Sequence, residues 1–448
     1  MVARRHGWLQ WLGTALVLAG ATAWTCAAPK ATVVYPTGTF PLDEHNVQAA
    51  INQGGTVVLK ATNTVGQPTA FNFGPPDPFV NGGVNINTDV NIQGEQVGPS
   101  VTTIRGGFNP ILGAAPVRST IQGILFDGPL DAPIALFRSA GASIVGNHIR
   151  NIVPLPLFFG TEIEGIFVSG FDDPLHAITG KITVSNNLIE ISGGDFVNGM
   201  QFDEVAADID VNGNTVQFIS SDGVVQTLGI LVFRSAGKVN VSNNFVTMGP
   251  GNADTFPAGI FVGGHPGARY SISHNTVVTN HPNADGIDVV GLSPDTSTLG
   301  ANVQGNSVTM QSTIPTSGGV VFAGGVSNSS MVANQIAGTQ GDSLQVLGFG
   351  SDLPADSNQV LGNKISQASP SDADVFLGPD SSNTLVAGQC VSFVDLGMNN
   401  RVNCGGPNGH SGLATPASMK DRSHGLTDAL GDMIRAAGLK ARQTRLAR

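Results

Sequence analysis

"VSNNLI" (Val184–Ile189), "VNGNTV" (Val211–Val216), "VSNNFV" (Val241–Val246) and "ISHNTV" (Ile272–Val277) are variants of one six-residue phrase. In each, an asparagine in fourth place sits between apolar residues that alternate with small or polar ones. The phrase recurs as "IVGNHI" (Ile144–Ile149), "VQGNSV" (Val303–Val308), "MVANQI" (Met331–Ile336) and "VLGNKI" (Val360–Ile365). The shared residues are Asn147, Asn187, Asn214, Asn244, Asn275, Asn306, Asn334 and Asn363, at successive gaps of 40, 27, 30, 31, 31, 28 and 29. A second phrase alternates with the first: "GIFVS" from Gly165, "GMQFD" from Gly199, "GILVF" from Gly229, "GIFVG" from Gly259, "GIDVV" from Gly286 and "GVVFA" from Gly319. A sustained internal period of this size identifies a repeat architecture.

Both phrases alternate apolar with other residues over short runs, which is the period of a β-strand. Their β-branched content and the Gly/Asn/Asp punctuation agree. No stretch between them has the length and period of a helix, so helical crossovers are excluded. Short strands and turns returning every thirty residues predict a coiled solenoid whose turns stack at roughly 4.8 Å. The asparagines then fall at one corner, where Asn tolerates left-handed turns and its amide can bond the next coil. They read as a structural ladder and receive no function.

These phrases resemble the right-handed parallel β-helix repeat proteins of the pectate-lyase-like superfamily. "DEHNVQAAINQGGTVVLK" (Asp43–Lys60) strengthens the resemblance, with a short helix, a glycine stop and a first strand. Val47, Ala50 and Ile51 share a helical face, and Gly54 suits the C-terminal cap. The fold expectation is all-β: a single right-handed parallel β-helix over 29–415, with 29–60 as N-terminal cap and first strand. The resemblance spans about Ala31 to Gly406 and implies a fold far more than an activity.

The two ends differ from this body. Arg4 and Arg5 precede an apolar run from Trp11 to Trp24 and then "CAA" at Cys26–Ala28. That is the layout of a secretory signal peptide over 1–28, too short in its apolar core to span a membrane. The expected location is secreted or periplasmic, with no membrane span once the signal is removed. Residues 416–448 form a basic tail, with Leu426, Leu430, Met433, Ile434 and Ala437 at helical spacing. Residues 1–28 carry two arginines, and the chain from Ser418 onward carries seven basic and three acidic residues. Setting these aside leaves the body with 12 basic and 29 acidic residues, a net of −17. So acidic a surface excludes nucleic acid as a partner. Cys390 and Cys404 survive signal removal, and an oxidising compartment favours their pairing across the last coil.

Candidate chemistry gathers at one corner. Aligning the coils on Leu136, Val168, Phe202, Val232, Val262, Val289, Phe322, Val346 and Phe376 gives a column two positions later. It reads Arg138, Gly170, Glu204, Arg234, Gly264, Gly291, Gly324, Gly348 and Gly378. Glycine is the default at a tight turn, and three coils break it. "FRSAG", at Phe137–Gly141 and again at Phe233–Gly237, supplies two of the exceptions. Asp203 precedes Glu204, and His265 follows Gly264. Asp172, Asp173 and His176 lie in the insertion "GFDDPLHAITGK". Stacking would align this set along roughly 15–20 Å of one edge at one strand spacing per coil.

Asp172, Asp173, Asp203, Glu204 and His265 are the candidate catalytic residues. Carboxylates about one coil apart suit glycosidic chemistry, and histidine or a carboxylate can abstract the proton next to a uronate carboxylate. Arg138, His176 and Arg234 are the candidate substrate-binding residues, since arginine grips carboxylates bidentately. Paired aspartates could hold Ca²⁺. The plain alternative is an ion pair between Glu204 and Arg234 on adjacent coils. Fragments similar to polygalacturonase motifs, "NTD" (Asn87–Asp89), "DD" (Asp172–Asp173) and "GHPG" (Gly264–Gly267), lie several coils apart, so no catalytic role is carried over from them. Phe137, Phe167, Leu231, Phe233, Phe261, Val290, Val321, Leu347 and Leu377 should point outward as an exposed apolar stripe, a surface for the tail, an apolar ligand or a homo-oligomer. Two functions follow. The first is an exported protein that binds or processes an acidic polysaccharide as a lyase, epimerase or hydrolase. The alternative is a non-catalytic envelope or surface protein, structural or adhesive. Enzyme status is left open at this stage.

Overall fold

The computed structural model describes residues 31–411, except 78, 80–81, 158–159, 171–177, 221–225, 251–255, 282–283, 312–316, 367–372, 389, 391 and 405–409. The expected signal peptide at 1–28 and tail at 416–448 therefore lie outside the described residues. One coil shows the plan of the rest. Ile209–Asn212 belongs to a first sheet, Thr215–Ser220 to a second and Gln226–Phe233 to a third, before Lys238–Ser242 re-enters the first. Pairing joins each strand to its counterpart one repeat away, as in Ile209↔Val239, Val216↔Val246 and Val232↔Val262. The first and third sheets hold 14 strands each and the second 11. Their successive pairings are parallel, and the chain is a parallel β-helix.

Alternation decides what enters the core. Val211, Val216 and Val232 come from the three sheets of one coil, and all are fully buried in the main apolar cluster. The asparagine ladder runs beside it. Asn214 donates from its backbone N and its Nδ2 to Asn244 Oδ1 (3.0 Å each) and from Nδ2 to the Val184 carbonyl (2.9 Å). The same pattern continues through Asn244 and Asn275 to Asn306. Each amide is thereby satisfied inside the rod, where an unpaired one would be costly. The left-handed residue at this corner is the one before the ladder asparagine, as at Asn186 (φ 56°) and Asn243 (φ 55°).

The second phrase owes its glycine to space. A Cβ on Gly229 would stand 2.4 Å from the Gly259 carbonyl oxygen and 2.4 Å from Val246 Cγ1. Gly199 meets the same two obstacles from Gly229 and Val216. At the N-terminal end, the helix Leu42–Ile51 packs on the strands of the first coil and sends Val47, Ala50 and Ile51 into the core. Gly54 (φ +69°) follows as expected. Asp43, fully buried, ties the helix start to the rod by accepting from Thr37 N and Oγ1, Gly38 N and Asn72 N at 2.6–2.9 Å. At the other end Cys390 and Cys404 form the expected disulfide.

Two expectations need correction. In the last aligned coil the inward residue is Leu377, paired with Val346, while Phe376 pairs with Gln345 and faces outward. Leu377 thus leaves the expected outward stripe, and the rest of that stripe is outward by register but not exposed. Phe167, Leu231, Phe261 and Val290 are at most 1% exposed, and Phe137 and Phe233 are 3%. They form two clusters separate from the main core. The third sheet is thus buried on both faces, the ordinary condition of a parallel sheet.

Candidate functional site

The third sheet presents its outward side chains in columns, one residue per coil. Phe167, Gln201, Leu231, Phe261, Asp288, Val321 and Gln345 make one column. Ser169, Asp203, Phe233, Gly263, Val290 and Ala323 make the next, nearer the strand ends. One step further the strands break into the corner. There Gly170 N, Glu204 N, Arg234 N and Gly264 N donate in turn to Asp203 O, Phe233 O, Gly263 O and Val290 O at 2.9–3.1 Å.

The sequence-derived column is therefore real from Gly170 to Gly264. Glu204 and Arg234 both sit at φ 53°, in the left-handed region that Gly264 (φ +82°) occupies on the next coil. Their side chains meet, with Arg234 Nη1 2.5 Å from a Glu204 oxygen. Both are partly shielded, at 32% and 13% side-chain exposure, so the pair is stronger than a fully solvated one. His265 follows on the adjacent coil, and its Nδ1 accepts from Gly267 N (3.1 Å). Asp203 lies 8% exposed on the outward face, between Ser169 and Phe233.

Arg138 is placed differently from Arg234. It ends the strand Ile134–Arg138 at a register shift, opposite Ala114, and is not left-handed. Two coil steps, roughly 10 Å, separate it from Glu204. It makes no ion pair among the described residues. The two "FRSAG" copies thus share a sequence but not a backbone. Asp172, Asp173 and His176 fall outside the described residues. Among the described residues, no group of three or more His, Cys, Asp or Glu gathers closely enough to hold a metal ion.

Sequence reasoning missed the charges on the other half of the same face. Glu162 (4% exposed) and Glu164 (0%) alternate with the core residue Ile163, and so face outward. Asn198, opposite Glu164, donates to Gln201 Oε1 (2.7 Å). Asp285 accepts from Gly318 N, and Asp288 stands three residues on, 1% exposed. Burial, and then the neighbouring Asp285 carboxyl, push the Asp288 pKa well above the ordinary carboxylate range. Among the described residues, by distance and angle, neither Asp288 oxygen has a hydrogen-bond partner. Nearby His281, fully buried, is held down to about 4 by desolvation. The alternation in "TEIEG" (Thr161–Gly165) carried the signal for the glutamates, but the coil alignment began only at the glycine.

No family model matches the chain, and no curated protein matches it in sequence. Solved structures do. The likeness is one of fold. The Dettilon tailspike protein (gp208) aligns over 82% of this chain and 68% of its own, at 14% identity and a TM-score of 0.40. The A-module of the Azotobacter vinelandii mannuronan C-5 epimerase AlgE6 aligns over 83% and 95%, at 14% identity and a TM-score of 0.34. The corresponding module of AlgE4 aligns over 82% and 95%, at 15% and 0.28.

Proposed function

We propose that this chain is an exported β-helix protein that binds or processes an acidic polysaccharide along the Glu204–Arg234 edge of its third sheet. One observation carries the reading. A non-glycine residue in the left-handed region costs roughly 1–2 kcal/mol, so Glu204 and Arg234 together cost several times what a partly exposed ion pair returns, about 0–1 kcal/mol. The adjacent coil has glycine at the same position, and glycine would serve the turn better. Strain retained at neighbouring positions by two charged groups points to a use beyond stability. In this reading Arg138 and Arg234 meet sugar carboxylates, and Asp203, Glu204 and His265 supply the acid–base groups, with Asp172, Asp173 and His176 contributed by the insertion.

The second reading, a non-catalytic surface or adhesive protein, draws support from the burial of Asp203 and the closure of Glu204 by Arg234. The test is a Glu204→Gly, Arg234→Gly double variant. It should melt no lower than the parent, because it relieves the left-handed strain, yet it should lose binding to alginate, pectin or a glycosaminoglycan by roughly ten- to a hundredfold, the loss of one charge-assisted hydrogen bond. Turnover would be followed with and without Ca²⁺ through unsaturated uronates, reducing ends and sugar configuration. Binding without any turnover selects the adhesive reading. A parent that binds none of these glycans refutes the proposal.

A further inference from the structure

The acidic rod distributes its few cations unevenly. The body holds 12 basic residues against 29 acidic ones, and six of the 12 sit where the third sheet turns into the first: Arg118, Arg138, Lys181, Arg234, Lys238 and Arg269. Arg118, Lys238 and Arg269 open the first-sheet strands Arg118–Gln122, Lys238–Ser242 and Arg269–Ser273, and Lys181 precedes Ile182–Ser185. Arg138 ends its third-sheet strand, and Arg234 follows Phe233 at the end of another. The set spans six successive coils, five strand steps or about 24 Å. Within that span, only the turn of Glu204 and Asp208 lacks a cation.

Most of these charges are not neutralised by the rod. Arg234 pairs with Glu204, and Lys181 with Asp210 at 3.0 Å. Among the described residues Arg118, Arg138, Lys238 and Arg269 make no ion pair. Asp89 and Asp208 accept from the backbone N of Arg118 (2.8 Å) and of Lys238 (2.9 Å), and both basic side chains stay exposed. Lys238 and Arg269 are moreover register partners on adjacent strands, both exposed. Like charges directly opposite each other destabilise a sheet. Cations left open on neighbouring coils fit a ligand that brings its own anions at the same interval.

We propose that a polyuronate with a carboxylate on every sugar lies lengthwise along this corner, gripped by Lys238 and Arg269 beside the Glu204–Arg234 pair. The proposal rests on the reading of that edge as a glycan site and names its substrate class. Lys238 and Arg269 stand one strand step apart, about 4.8 Å, a spacing close to one sugar unit. A glycan charged only on alternate sugars would leave one of the two unmatched. The arginine can hold a carboxylate bidentately and the lysine as a point charge.

The test measures binding of size-matched polymannuronate, polygalacturonate and hyaluronan, the last with carboxylates on alternate sugars. It compares the parent, Lys238→Gln combined with Arg269→Gln, and Lys364→Gln as a control on the second sheet. The parent should prefer both polyuronates to hyaluronan. The double variant should bind polyuronate about tenfold more weakly or worse, with a shallower dependence on salt, and Lys364→Gln should match the parent. Because the like-charge pair is gone, the double variant should melt no lower than the parent, which separates lost binding from lost fold. A parent that binds polyuronate and a double variant that binds it equally well would overturn the corner path and leave the Glu204–Arg234 reading standing. Hyaluronan bound as tightly as the polyuronates would overturn the substrate class. A parent that binds none of the three would overturn both.

Discussion

Asp288 is held in a place where its charge has almost no water, beside another carboxyl. In an unfolded chain an aspartate releases its proton near pH 3.9, roughly, whereas here burial and Asp285 keep the proton on to well above that. Between the two values the folded state binds more protons than the unfolded state. The contribution of this site is therefore full below about pH 4 and declines as pH rises, by up to ~1.4 kcal/mol per pH unit. His281 has the opposite sign. Its folded pKa of about 4 lies below the unfolded value, so its contribution is present at neutral pH and is lost as pH falls. The two slopes oppose each other in mild acid, and the parent's own pH profile would blur them. The difference between parent and Asp288→Asn removes the histidine. Urea denaturation should find the two equal in stability near pH 4 and the variant more stable near pH 7, the gap widening in between. A gap independent of pH would show that Asp288 is ionised in the folded chain.

The strand after each repeated glycine depends on the absence of one carbon atom. Gly229→Ala would place a Cβ against the Gly259 carbonyl and Val246 Cγ1, both belonging to the next coil and neither able to swing aside. Overpacking of this kind costs about 1–3 kcal/mol, and a backbone obstacle places it at the upper end. Gly146→Ala is the control: its Cβ would meet nothing within 4 Å, and only the left-handed φ of +62° opposes it. Urea titrations should therefore rank Gly229→Ala well below Gly146→Ala, and equal midpoints would mean that the coils can separate at little cost. Elements of this kind were legible in the sequence because each coil repeats the same physical demand, a ladder asparagine or a glycine against a neighbour. The inward column from Leu136 to Val346 came out right for the same reason. What was not legible depends on single coils. Nothing in "FRSAG" distinguishes the left-handed Arg234 from the extended Arg138, because the difference comes from a register shift after Leu136. The burial of Phe261 was equally hidden, since alternation tells which way a side chain points and not what lies over it.

A stacked solenoid holds each coil only through its two neighbours, so its ends are its weakest parts. At the N-terminal end the helix Leu42–Ile51 packs on the first strands and is tied to them by the buried Asp43 network. Near the C-terminal end a small cavity lies among Val360, Ile365, Val375, Val386 and Cys390. Among the described residues the second sheet ends there at Lys364–Ser366, two strands before the other two. The Cys390–Cys404 bond lies beside that cavity, and it joins the last strand of the first sheet, Arg401–Cys404, to the chain entering the third. Closing a loop of 14 residues is worth about 3 kcal/mol through the unfolded state. That amount is local. Cys404→Ser should strip hydrogen-exchange protection from the strands Val375–Leu377, Leu385–Gly388 and Arg401–Cys404 while leaving Ile182–Ser185, Ile209–Asn212 and Lys238–Ser242 as slow as in the parent. Central coils keep both neighbours when an end frays, and their opening still requires the whole stack to unfold. Exchange accelerated equally along the entire rod would show instead that the coils unfold as one unit, with the disulfide stabilising all of them at once.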